Sequence, residues 1–109
     1  GASNTLKATV DAYDTSLTRT IPTPLSEYRS YLAATSVGNY ALFGGGTPDN
    51  ITDYSTVDAY DTSLTRTVPT ALSETRYFLA ATSVGNYALF GGGYNGRRDM
   101  ITVDAYAVS

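Results

Sequence analysis

The stretch Val10–Gly46, VDAYDTSLTRTIPTPLSEYRSYLAATSVGNYALFGGG, returns at Val57–Gly93 as VDAYDTSLTRTVPTALSETRYFLAATSVGNYALFGGG, with 32 of 37 residues unchanged. The offset is 47 residues, and VDAY opens once more at Val103. Self-similarity at a period of roughly 20–50 residues marks a stack or ring of one supersecondary unit, which cannot bury its apolar face alone. A side chain that recurs in every copy is first a part of that unit. The repeat therefore decides the architecture and narrows the search for functional residues. The chain divides into repeats at 10–56 and 57–102, with a partial third at 103–109.

Each unit reads as four short strands. Ser30–Ser36 is the first. Gly38-Asn39 between two β-rich runs is a hairpin signal. Tyr40–Phe43 is the second strand, apolar at successive positions as a strand covered on both faces requires. Gly44–Gly46 ends it, and the polar loop Thr47–Asp53 leads to a third strand at Tyr54–Tyr60. Asp61-Thr62-Ser63 forms a turn, because Asp and Ser side chains bond their own backbone there. Leu64–Val68 is the fourth strand. Pro69 ends it, since proline cannot donate to a ladder. Arg76–Ser83, Tyr87–Phe90 and Ile101–Tyr106 repeat the first three strands. The chain opens on a third and fourth strand, Thr5–Tyr13 and Leu17–Thr20, so only the central unit is complete.

Composition agrees. Ten Tyr and three Phe in 109 residues favour pleated surfaces. A hydrophobic content of 42% is enough for a core. Seven Lys and Arg against ten Asp and Glu leave a net charge of −3, which supplies no basic footprint for nucleic acid. No apolar run approaches the length of a membrane helix, and neither a nucleic-acid nor a membrane partner is expected. The absence of Cys rules out disulfides and thiolate metal sites. The absence of His removes the commonest metal ligand and general base. The chain begins at Gly1 without Met, and we expect an excised, processed or engineered piece, with Gly1 the last residue of a preceding triple Gly.

A triple Gly after the second strand, a Tyr in the third and a Leu…Pro…Leu-x-x-x-Arg run into the next unit resemble the kelch motif. The matching residues are Gly44, Gly45, Tyr60, Pro69, Leu72 and Arg76, with Gly91, Gly92 and Tyr106 in the next copy and Tyr13, Pro22, Leu25 and Arg29 upstream. The resemblance covers nearly the whole chain. Two features depart from it. Leu17 and Leu64 stand where kelch repeats usually carry Trp, and the segment between Pro22 and Arg29 is slightly long. The resemblance implies an all-β fold of kelch-like β-propeller blades, each of four antiparallel strands, two blades per chain, with the ring completed by oligomerisation.

A propeller needs about four to eight blades. Two alone leave apolar faces open, and Tyr40, Leu42, Phe43, Tyr87, Leu89 and Phe90 are the residues expected to pack between blades. Faces joined head to tail close into a ring when the rotation divides a full turn. The expected partner is thus a second copy of the chain. Four copies supply eight blades and three supply six; the tetramer is the preferred expectation and the trimer the alternative. At each joint the fourth strand comes from the neighbour's Leu17–Thr20. The third strand comes either from the chain's own Val103–Tyr106 or from the neighbour's Val10–Tyr13.

Signs of chemistry are few. Gly44–Gly46 and Gly91–Gly93 precede loop and strand, not Gly-Lys-Ser/Thr and a helix, so they do not form a phosphate loop. The acids Asp11, Asp14, Asp58, Asp61, Asp104, Glu27 and Glu74 recur with the period, so a ring spreads them out and forms no unique catalytic pair. Asp14 and Asp61 read as turn residues. The recurrent Arg19, Arg29, Arg66 and Arg76 read as ion-pair partners. Ser and Thr lack a base to activate them. Asp49, Asn50 and Asp53 share a loop but do not match the EF-hand spacing. We expect no enzyme and no cofactor. The repeats diverge in the loop after the second strand, Thr47–Asp53 against Tyr94–Asp99. In kelch-like propellers this loop shares a face with the linkers that carry Tyr28 and Thr75, where partners commonly dock. Tyr94, Arg97 and Arg98 are of types enriched at interfaces, which makes them the candidate contacts for a protein or glycan in the alternative reading, where the chain is a fragment of a bacterial-type kelch binding protein.

Overall fold

The computed structural model of the chain describes residues 6–49 and 52–108. Among the described residues, nine strands form three antiparallel sheets. β1 (Ala12–Tyr13) and β2 (Arg19–Thr20) make a hairpin. β3 (Ala33–Val37), β4 (Tyr40–Gly44), β5 (Val57–Tyr60) and β6 (Arg66–Thr67) make the complete central sheet. β7 (Ala80–Val84), β8 (Tyr87–Gly91) and β9 (Val103–Ala107) make the last. Strands follow one another in space as in sequence, which makes each sheet a meander. No helix is present among the described residues.

The strands are shorter than their sequence runs, and backbone geometry says why. The first strand starts at Ala33, not Ser30, because Tyr31 adopts φ +58° and breaks the extended run; Phe78 at φ +60° does the same before β7. Ser30 instead bridges to Thr47, and Tyr77 to Tyr94. Leu17 and Leu64, both at φ +61°, delay β2 and β6. Tyr54–Thr56 leave the ladder to bond elsewhere. The Tyr54 N–H donates to Gly46 O at 2.9 Å, and Ser55 O accepts from Leu72 N–H at 2.7 Å. Of the expected opening strand Thr5–Tyr13, Thr5 lies outside the described residues and the ladder begins at Ala12.

Two turns follow from their residues. The β3–β4 hairpin pairs Val37 with Tyr40 across Gly38 and Asn39, and Gly38 supplies the positive φ of 54° that so tight a loop requires. In the β1–β2 turn, Asp14 Oδ1 accepts from the Ser16 and Thr18 N–H groups at 2.8 and 3.0 Å. Asp61 repeats this with Ser63 and Thr65 at 2.9 and 3.0 Å between β5 and β6. Leu17 and Leu64 sit in these turns, exposed, so they are not buried stand-ins for a core Trp.

The central and last sheets stack face to face, closest at their first strands. The core between them combines Val37, Leu42, Val57 and Ala59 of the central sheet with Leu79, Ala88 and Phe90 of the last and Leu72 of the linker. Backbone bonds stitch the joint: Gly46 N–H donates to Arg76 O and Phe78 N–H to Tyr31 O, both at 2.9 Å.

Candidate functional site

A recurrent ion pair ties each linker to its blade. Arg29 is buried and donates to Thr56 O at 2.6 Å, Gly45 O at 3.1 Å and Phe43 O at 3.3 Å. It also reaches Asp58 Oδ2 at 2.7 Å. Ser26 donates its N–H and hydroxyl to the same carboxylate oxygen, each at 3.1 Å. Arg76, Ser73 and Asp104 repeat the arrangement, with Arg76 on Thr102 O at 2.6 Å and on Asp104 Oδ2 at 2.5 Å. Burial pulls the Arg29 guanidinium below its ordinary value, while Asp58 and then Glu27 pull it back up. The guanidinium Nη atoms bond backbone carbonyls and the carboxylates. Arg29 Nε, Arg76 Nε and Asp58 Oδ1 are buried without a hydrogen-bond partner among the described residues, Asp58 Oδ1 lying 4.0 Å from Arg66 Nε. The pairs brace the fold by tying each linker to the third strand of its blade.

The joint between the sheets is a ring seated on a glycine. Phe90 points from β8 onto Gly44 and is fully buried; a Cβ at Gly44 would lie 2.9 Å from Phe90 Cε1. Phe90 is braced edge-on by Tyr106, with ring centroids 5.8 Å apart. Both partners of this contact recur in the chain without their mates. Phe43, the copy of Phe90, meets Tyr60 edge-on at 5.9 Å but points away from the last sheet, half-buried. It borders a gap of about 360 Å³ shared with Thr9, Val10, Leu32 and Ala34. Gly91, the copy of Gly44, has only Val103 within reach of an added Cβ, at 3.5 Å.

The rest of the two faces tells the same story. Val37 is 5% exposed and its copy Val84 60%; Val57 is 0% exposed and its counterpart Val103 61%. Leu42 is buried, whereas Leu89 is half-buried and opens on the outer face with Ala80, Thr82 and Val103. Of the six residues expected between blades, Leu42 and Phe90 lie in the joint. Phe43 and Leu89 lie on the two open faces. Tyr40 and Tyr87 are 39% and 51% exposed, so they stand at the rim, because each begins its strand directly after the hairpin.

In the variable loop, Tyr94 is half-buried. It bridges to Tyr77 and to Asp99, with its ring edge-on to Tyr77 at 5.7 Å. Asn95 Oδ1 accepts from the Arg97 and Arg98 N–H groups at 3.0 Å each, holding two exposed arginines on one tight turn. In the preceding loop, burial raises the Asp53 carboxyl, and Asp49 adds to the rise. Asn50 lies outside the described residues. No cluster of three or more acidic, His or Cys side chains with metal-binding geometry exists among the described residues. Sequence reading missed the positive φ of Tyr31 and Phe78, whose rings meet across the joint with centroids 4.2 Å apart and planes tilted by 43°. The only signal was that the repeats differ there, Ser30-Tyr31 against Tyr77-Phe78.

Four-stranded meanders stacked face to face, with first strands innermost, define propeller blades. The comparisons agree at the level of fold. The chain overlays the solved structure of YjhT, a kelch-like β-propeller-type protein, with a TM-score of 0.70 at 14% identity. The overlay covers 84% of this chain and 32% of YjhT, so the chain spans about a third of that structure's length. No family model and no curated protein matches the chain.

Proposed function

We propose that this chain is a structural, self-assembling kelch-type propeller unit without catalytic activity, whose identical copies close into one ring. The observation that carries the reading is the pairing of unused halves. Phe43 at one open face is the copy of a ring that sits on a glycine, and Gly91 at the other is the copy of the glycine that receives it. Two copies placed as the two blades already are would bring Phe43 of one onto Gly91 of the other. They would also cover Val84 and Leu89. Each large apolar side chain so covered contributes about 1.5–3 kcal/mol. Such a head-to-tail contact is heterologous and ends only in closure. Deleting residues 1–20 removes β1 and β2, and with them the fourth strand of the shared blade. Sedimentation of this shortened chain is expected to show loss of the ring. An unchanged oligomer would rule the shared blade out.

The paired arginines favour a second role for the same assembly: recognition of a protein or glycan through Tyr94, Arg97 and Arg98. Replacing all three by Ala is expected to abolish capture of such a ligand while shifting stability by no more than about 0.5 kcal/mol. A ligand retained by the triple variant would place recognition elsewhere.

A further inference from the structure

The chain holds three copies of Val-Asp-Ala-Tyr but only two linkers to receive them. Asp58 takes Ser26 and Arg29, and Asp104 takes Ser73 and Arg76. Asp11 makes no side-chain hydrogen bond or ion pair among the described residues, and Tyr13 is exposed. At a joint between copies, β1 of one chain and β9 of the other therefore compete for one place beside β8. Resting on the assembly reading above, we propose that β9 is a resident strand which the incoming copy's β1 displaces as the ring closes.

The contacts show why the exchange runs in that direction. The principal side-chain bonds of β9 pass through residues that β1 also carries. Asp104 binds Arg76 and Ser73, and the Tyr106 hydroxyl donates to Thr70 O at 2.7 Å. Asp11 and Tyr13 stand at the same positions of the motif, so β1 replaces these contacts one for one. The central blade shows the finished form, with Asp58 fully buried and the Tyr60 hydroxyl on Thr23 O at 2.6 Å. Beyond the shared motif the two strands differ. β1 continues into the Asp14 turn and β2, in the register β5 and β6 use: Ala12 opposite Thr20 and Tyr13 opposite Arg19, as Ala59 opposite Thr67 and Tyr60 opposite Arg66. β9 has Ala107 where Asp14 and Asp61 form their turns, and Val108 instead runs back against Gly38 of the β3–β4 hairpin. Seating β1 therefore adds a turn and a fourth strand that β9 does not bring. Keeping β9 would force β2 to leave its hairpin mate.

The seat of β9 is also loosely filled. A cavity of about 300 Å³ separates Ala107 and Val108 from Leu42, Thr67 and Pro69 of the central blade. Thr67 and Pro69 lie at the outer end of that blade, opposite the place a fourth strand takes. The Asp104 side chain is 20% exposed where Asp58 is closed off. Until a neighbour arrives, β9 covers an edge of β8 that would otherwise invite indiscriminate pairing. The device is a guard strand that yields to the correct partner.

Amide hydrogen exchange on the 109-residue chain, in its dilute and assembled forms, tests this. In the dilute form Val103–Ala107 is expected to be protected. In the assembled form Ala12–Tyr13 gains protection and Val103–Ala107 exchanges like a free tail. Protection of Val103–Ala107 that survives assembly, with none gained at Ala12–Tyr13, overturns the displacement and leaves the ring itself standing. A chain that stays monomeric at every concentration overturns both. Single variants give a second reading: Asp11→Asn should weaken the ring and Asp104→Asn should not, and the reverse order contradicts the proposal.

Discussion

Replacing Gly91 by Ala should spare the chain and injure the ring. At Gly44 an added methyl would meet the Phe90 ring at 2.9 to 3.2 Å, inside ordinary contact. At Gly91 the same methyl meets only Val103 Cγ2, at 3.5 Å, and no positive φ stands in the way. Within one chain Gly91→Ala is then nearly neutral, within about 0.5 kcal/mol as for surface changes. Gly44→Ala overpacks a filled joint and costs about 1–3 kcal/mol. In the ring the two positions become equivalent, because Phe43 of the next copy takes the place over Gly91 that Phe90 takes over Gly44. Gly91→Ala should therefore cost about 1–3 kcal/mol at every joint between copies. That weakens each contact by roughly five- to 150-fold, at about 1.4 kcal/mol per decade. The assay is sedimentation equilibrium over a range of concentrations, beside thermal melts of the dilute chain. A Gly91→Ala chain that assembles like the parent refutes the ring-on-glycine joint. So does one whose dilute form is destabilised as much as Gly44→Ala.

Other consequences follow from the packing. Phe90→Ala should lower stability by about 3–5 kcal/mol, because the ring is fully buried and its seat on Gly44 cannot collapse; an unchanged melting temperature would mean the faces are misassigned. Arg29→Lys should destabilise nearly as much as Arg29→Ala, since an ammonium cannot bridge Gly45 O, Thr56 O, Phe43 O and Asp58 at once; urea melts of the two variants compare them directly. Burial first, then Asp104, push the Tyr106 hydroxyl up to about 12 against Arg76, which lowers it. The folded state thus holds this proton more tightly than the unfolded chain. Its contribution is complete below about pH 10 and is lost as pH rises toward 12. Tyr106→Phe should flatten that alkaline fall in a pH series of thermal melts.

The blades were legible because the pattern is local. The 47-residue period, Gly38-Asn39 between β-rich runs and the Asp14 and Asp61 turns all act within a few residues, and each appears in the structure where the sequence puts it. Strand lengths were less legible. Tyr31, Phe78, Leu17 and Leu64 adopt positive φ, which no propensity assigns to bulky residues, and each trims a strand. The recurring arginines announced ion pairs but not their partners, since Arg29 reaches Asp58 only through the closed sheet. The faces were hidden for another reason. Tyr40-Ala-Leu-Phe43 is apolar on both sides, so alternation does not tell which side is covered. Chain position tells it: Leu42 faces a second blade inside the chain, while its copy Leu89 faces outward. The binding loop was legible as divergence between repeats, but the Asn95 turn that presents Arg97 and Arg98 was not.

Native mass measurement of the unaltered chain tests the central claim most directly. The account predicts one discrete closed species, of four chains or of three, with no ladder of larger forms. A monomer at concentrations where the apolar faces of Phe43 and Leu89 should be covered, or an open-ended series of oligomers, would contradict it.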